Sequence, residues 1–259
     1  MRTTGRPADS VVPDSPAPGT AILPPVRDFR ANRLLAGLEP AVQTLLAPEL
    51  QRVTLRPRQL LGEPGSPIEH VYFPHSGVVC LLAAVREGTV ETAAIGPEGC
   101  LGFEVALGAQ RASARAIVQL PGEASRVPVS FLRETLRSCP PLRERLLHFV
   151  RYLLIHSFQS AVCNGLHTVQ ERSAKWLLMA HDRAGRPDTF QLTQESLAEM
   201  LGVHRPSVTV VARTLQNAHL IRYSRGVIAI VDRRGLEQAA CQCYGTLRRA
   251  LEEILPAPG

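Results

Sequence analysis

QLTQESLAEMLGVHRPSVTVVARTLQNAHLIRYSRGVIAIV, residues 191–231, is the most informative stretch of the chain. Thr193 stands where its hydroxyl can accept an orphan backbone N–H, which predicts a helix through Leu201. Leu197, Ala198 and Leu201 give that helix one apolar side, and Gly202 comes next, where a left-handed residue would end it in a tight turn. A second helix opens at His204 or its neighbour and runs to about Asn217, with Pro206 in its first turn, where a missing N–H costs nothing. Val208, Val211, Ala212 and Leu215 recur at the spacing of a buried stripe, so Arg205, Thr209 and Arg213 share the opposite, exposed face. Residues 220–223 and 227–231 read as strands about Ser224-Arg225-Gly226, a small hairpin or wing. Two helices about a short turn, and then a wing, form a unit that lays its second helix in a DNA groove.

Charge points the same way. Residues 203–234 hold six arginines (Arg205, Arg213, Arg222, Arg225, Arg233, Arg234) against the single acid Asp232, which is most of the chain's formal net charge of +6. Phosphate-seeking charge is concentrated in this unit. The 259 residues, 45% apolar and 20% charged, suffice for two domains with a sizeable core. The opening residues lack the apolar region of a secretory signal, and no stretch approaches the ~20 apolar residues of a membrane span, so a cytoplasmic protein without a membrane partner is expected. There is no Gly-Lys-Ser/Thr phosphate loop, HExxH or Gly-x-Ser-x-Gly, and no catalytic residue is expected. The alternative to a DNA-binding regulator is a ligand-binding or protein-interaction module of the same fold that has lost DNA affinity.

LTQESLAEMLGVHRPSVTVVARTLQNAHLIRYSRG closely resembles the DNA-binding domain of the Crp/Fnr family of bacterial transcription regulators. The resemblance covers roughly residues 32–244 and is strongest from Asn164 onward. Asp232-Arg233-Arg234-Gly235-Leu236-Glu237 and Cys241-Gln242-Cys243-Tyr244 resemble a subgroup whose small-molecule signal is generally not established. Residues 1–28, rich in proline and without an apolar period, read as a flexible tail; beyond it the resemblance implies an α+β architecture of a cyclic-nucleotide-binding-like β-roll (29–139), a dimerisation helix (140–164), and a winged helix-turn-helix with a C-terminal helix (165–259). It implies a homodimer on palindromic double-stranded DNA, in contact with RNA polymerase and answering to an unknown effector. The DNA-binding set is Thr193, Gln194, His204, Arg205, Pro206, Ser207, Thr209, Val210, Arg213 and Arg225. Pro206 and Val210 stand where the best-known members carry a base-reading acid and a second arginine, so their half-site is not carried over.

Upstream, residues 52–55, 70–73, 78–85, 90–95 and 114–119 are short β-like runs between glycine and proline turns, the pattern of a sandwich or barrel. His70-Val71-Tyr72-Phe73-Pro74 with Gly77, and Ile95-Gly96-Pro97-Glu98-Gly99 ahead of Gly102, carry the resemblance to the β-roll. Its effector pocket would use Gly99, Gly102, Glu104, Arg111, Ser113 and Arg115. The match is imperfect: Glu104 falls one residue late, and Ala112 stands where the phosphate-neutralising arginine belongs. In an extended chain a shift of one residue turns a side chain to the other face, so neither cyclic AMP nor cyclic GMP is the expected effector.

Short helices are expected at 32–38, 41–46 and 131–138. Pro140-Pro141 then introduces a long helix in which Leu142, Leu146, Phe149, Leu153, His156, Ser160 and Cys163 alternate at 4 and 3, a seam that wants a partner helix, the alternative being that the stripe packs on its own β-roll. Residues 164–166 read as a hinge to a further helix over 169–184. Cys241-x-Cys243 lacks the second pair of a four-ligand zinc or iron–sulfur site, and His148, His156 and His167 show no third ligand at helical spacing. No metal and no cofactor is expected.

Overall fold

A computed structural model describes residues 29–86 and 88–257 of the chain; the flexible tail expected for 1–28 lies outside them. A 3-10 turn (Phe29–Ala31) leads into α1 (Arg33–Ala36) and α2 (Pro40–Leu46). Asn32, wholly buried, ties this lid to the body of the domain. Its Oδ1 accepts from the Leu34 and Leu35 amides, capping α1, while its Nδ2 donates to Pro74 O and Gly99 O at 2.8 and 2.9 Å.

The β-roll comprises β1 (Gln51–Leu55), β2 (Leu60–Gly62), β3 (His70–Pro74), β4 (Val78–Val85), β5 (Gly88–Ile95), β6 (Arg115–Leu120) and β7 (Gly122–Pro128). They form two antiparallel sheets, ordered β1-β7-β3 and β2-β6-β4-β5. The strands read from sequence are present; β2 and β7 escape that reading. β7 is GEASRVP, with Ala124, Ser125 and Val127 buried between neighbours, so its side chains are too small or polar to look like a strand. In β4 the opening run VVCLL does not alternate because both faces are covered there. Val79 and Leu81 point into the roll with Val53, Phe73 and Phe149, whereas Val78, Cys80 and Leu82 point out, against Trp176, Leu197 and Leu201.

After α3 (Val129–Ser138) the long α4 (Pro140–Leu166) carries two prolines in its first turn and continues through the residues expected to hinge it. The bend falls at His167 and Thr168, where Thr168 and Glu171 form a reciprocal capping box that opens α5 (Val169–Arg183). Next come β8 (Phe190–Gln191), α6 (Gln194–Leu201), α7 (Arg205–Asn217), β9 (Ile221–Ser224), β10 (Val227–Ile230), α8 (Arg233–Ala239) and α9 (Cys243–Ile254). The architecture is thus the expected α+β one of β-roll, long helix and winged helix-turn-helix.

The expected dimer seam requires correction. Leu142, Leu146, Phe149, Leu153, His156, Ser160 and Cys163 are all buried within the chain itself. The roll and α9 claim that face: Phe149 closes on Gly99, where a Cβ would lie 2.0 Å from its ring, and Cys163 meets Cys241. The apolar side chains that α4 leaves exposed are Leu154, Phe158, Val162 and Leu166.

The helix-turn-helix is seated on the roll. Arg183 of α5 pairs with Glu98 at 2.7 Å, both side chains buried. Burial works against the guanidinium charge, but Glu98, Tyr152 and Glu91 together more than offset it and leave the arginine pKa raised. Glu91 of β5 accepts from Trp176 Nε1 at 2.9 Å and from Cys80 Sγ at 2.8 Å, and Arg58 reaches Glu199 of α6 at 3.3 Å.

Candidate nucleic-acid interface

Local chemistry shapes the two-helix unit. Thr193 Oγ1 accepts the Ser196 amide at 3.0 Å and starts α6; Gly202 ends it at φ 63°. Any side chain at 202 would be strained by that φ and would also bring its Cβ within 3.1 Å of Val90 in β5, so glycine answers two demands at once. His204 is the N-cap residue of α7, and Pro206 occupies its first turn. Val208, Val211, Ala212 and Leu215 are buried against α5 and α6 as their spacing predicts. The wing turns through Arg225 and Gly226 at φ 50° and 78°, between the paired Ser224 and Val227, the two-residue hairpin loop that needs positive φ at both positions.

The sequence-predicted residues are largely exposed, and short contacts tie some of them to one another. Arg205, Pro206, Ser207 and Arg213 are exposed, Val210 is 64% exposed, and Arg225 stands out at the wing tip. Thr209 is half-buried because its hydroxyl donates to Gln194 Oε1 at 2.7 Å, fixing α7 against the start of α6. Thr193 is exposed beside the wing, its methyl 3.8 Å from where a Cβ on Gly226 would sit. Arg222, absent from the expected set, is exposed on the wing strand β9. Arg233 is engaged elsewhere. Its guanidinium donates to Asp182 Oδ1 at 2.8 Å, Tyr244 Oη at 2.6 Å and His181 Nδ1 at 2.8 Å, so that charge is spent on holding α8 to α5.

The effector residues separate. Gly102 and Glu104 line a cavity of about 110 Å³ inside the roll, with Tyr72, Leu81, Ala112 and Ala114. Glu104 lies in a 3-10 turn (Phe103–Leu107) rather than in extended chain, so alternation does not apply to it and its carboxylate faces inward. Its Oε1 already accepts from Ser113 N and Oγ at 3.3 and 2.8 Å. Arg111 points away and donates to Gly65 O, Arg115 pairs with Glu63 at 3.1 Å, and Gly99 packs under Phe149. A cleft of about 390 Å³ between the lid, α5 and α9, lined by Arg33, Glu98, Asp182, Arg183 and Arg248 among others, had no signal in the sequence because its residues come from five separated segments.

A family model described as a Crp-like helix-turn-helix domain matches residues 171–239. Among curated proteins none matches the chain. Among solved structures, FixK2 from Bradyrhizobium japonicum is similar with a TM-score of 0.64 at 18% identity, over 74% of this chain and 98% of that one. A protein assigned to the Crp/Fnr family from Eubacterium rectale gives 0.62 at 17% identity, over 85% and 99%. A transcriptional regulator of the same family from Thermus thermophilus gives 0.58 at 22% identity, over 73% and 97%. At these identities the agreement is one of fold, and it spans nearly the whole of each of these proteins. No helix among the described residues is long and apolar enough to cross a membrane. The chain thus contains a Crp-like helix-turn-helix domain, set within a fold that matches those of Crp/Fnr-family regulators over nearly their whole length.

Proposed function

We propose that the protein is a homodimeric, cytoplasmic, sequence-specific regulator that inserts α7 into the major groove of each half of a palindromic operator. The observation that carries this reading is the exposed face of α7, where Arg205 and Arg213 flank Thr209 and Val210 without an acid, beside Arg225 on the wing. Arg205, in the first turn, is the base reader: its guanidinium can fork onto the two major-groove acceptors of guanine, while Val210 offers an apolar contact to a thymine methyl. Arg213, Arg222 and Arg225 take phosphates and position the unit without reading sequence. Two copies joined through α4 hold their recognition helices about one DNA turn, ~34–36 Å, apart. RNA polymerase is the further partner of such a regulator. The effector is not a cyclic nucleotide; the small β-roll cavity and the outward Arg111 and Arg115 support that exclusion.

Selection from a random duplex pool, with titration of the chosen site over a range of salt, tests the reading. Arg205→Ala is expected to cost about 1–3 kcal/mol on the selected site and to relax one position of it, whereas Arg225→Ala weakens all duplexes alike and lowers the salt slope by about 1. An Arg205→Ala protein with unchanged affinity and site preference would remove the assignment.

A further inference from the structure

Cys163 and His167 stand one turn apart where α4 ends, and Cys241-x-Cys243 brackets the start of α9. The fold brings the two pairs together. Their sulfur and ring-nitrogen atoms all lie within 4.8 Å of one another, with Cys163 Sγ 3.5 Å from Cys241 Sγ and Cys243 Sγ 3.4 Å from His167 Nδ1. We propose that Cys163, His167, Cys241 and Cys243 form a tetrahedral site for one Zn2+ ion, which pins the start of α9 to the bend between α4 and α5.

Geometry supports a single ion. Sulfurs ~2.3 Å and a nitrogen ~2.0–2.1 Å from a common centre at tetrahedral angles stand roughly 3.5–3.8 Å apart, close to the separations observed. An iron–sulfur cluster would hang its thiolates on different irons, and a spread of 4.8 Å leaves no room for one. Three thiolates and one imidazole in a tetrahedron are the donor set that selects zinc.

The surroundings fit a negatively charged site. The three cysteines are buried, forming a cluster of their own apart from both main cores. Three thiolates around Zn2+ leave one negative charge, and the buried Lys175 and Arg172 stand beside them to balance it. Gln159 Nε2 donates to Cys243 Sγ at 3.1 Å, the kind of outer hydrogen bond that orients a ligating sulfur. Binding expels the remaining thiol protons to solvent and changes no oxidation state. The far end of α9 is tied to the lid by the two-pronged Arg33–Glu252 pair, so ligation would anchor both ends of a strut laid along α4.

The test uses the full chain, free of any polyhistidine tag and purified under reducing, oxygen-free conditions. Metal analysis after dialysis is expected to find one zinc per chain, and Co2+ in its place should give a thiolate-to-metal charge-transfer band with the intense visible bands of tetrahedral cobalt. Stripping the zinc with a mercurial and then a thiol should lower the melting temperature, and adding Zn2+ should restore it. Cys241→Ser and Cys243→Ser should lose the metal while Cys139→Ser, outside the cluster, keeps it; Gln159→Leu should bind about 10–100-fold more weakly. Circular dichroism verifies that each variant is folded. A folded wild type that holds neither zinc nor cobalt, a wild type isolated with a Cys163–Cys241 disulfide and no affinity for metal, or cysteine variants that keep their zinc would each overturn the proposal.

Discussion

His156 occupies the place where the long helix meets β5 and α5. It is 1% exposed, its ring 6.2 Å from that of Tyr152, with the cationic Arg183 and Lys175 of α5 around it. Burial, and then those two cations, hold its pKa well below the ordinary 6.5, against a weaker contribution from Thr92. The sign depends on which state takes up the proton. The folded chain keeps the imidazole neutral while the unfolded chain protonates it near 6.5, so this group leaves stability unchanged above that pH and erodes it as the pH falls below, until the depressed folded value is reached. Urea unfolding from about pH 8 to about pH 5 should show the loss, with a slope of at most about 1.4 kcal/mol per pH unit from this one proton. His156→Leu should flatten it, and an unchanged slope in that variant would show that other groups govern acid sensitivity. Arg233 makes a related point about charge: sequence counts it with the DNA-seeking arginines, yet its guanidinium is taken by Asp182 and Tyr244.

Among the elements, α4 separates what a heptad can say from what it cannot. The 4 and 3 spacing from Leu142 to Cys163 does mark a buried face, but the roll and α9 of the same chain bury it. The face left for a second copy carries Leu154, Phe158, Val162 and Leu166, 52, 63, 45 and 79% exposed, spaced four apart along one ridge. Sedimentation should therefore find a dimer that Phe158→Glu or Leu154→Glu dissociates without loss of helix content. Leu146→Glu and Leu153→Glu should instead destabilise the monomer, because each puts a charge into its core. A Phe158→Glu protein that still sediments as the wild-type dimer would move the interface elsewhere. The recognition unit behaves differently, since caps, turn and wing are local chemistry: Thr193, Gly202, Pro206 and Arg225-Gly226 act over a few residues, and the helices begin and end where those residues require.

Across the full chain, the roll and the helix-turn-helix share a core, and the roll's inner cavity is small. Pockets that hold drug-sized ligands are roughly 300–1,000 Å³, against about 110 Å³ here, and the buried carboxylate of Glu104 that lines it is already bonded to Ser113. Cyclic AMP or cyclic GMP should leave the melting temperature unchanged at concentrations where a hundredfold excess over Kd would stabilise by ~2.7 kcal/mol. A clear rise abolished by Arg111→Ala or Arg115→Ala would show the site rebuilt around a shifted arginine. The order of residues was enough to reveal the helix-turn-helix and its basic face, the prolines that open α4, and the strand at β4, because caps, turns and apolar periods act between residues a few positions apart. Only the folded chain reveals which partner covers α4, where Arg233 spends its charge, that Glu104 faces inward from a 3-10 turn, and that Cys163 and His167 meet Cys241 and Cys243. The last of these depends on residues about 80 positions apart being brought to within a few ångströms, and spacing along a chain carries no record of that approach.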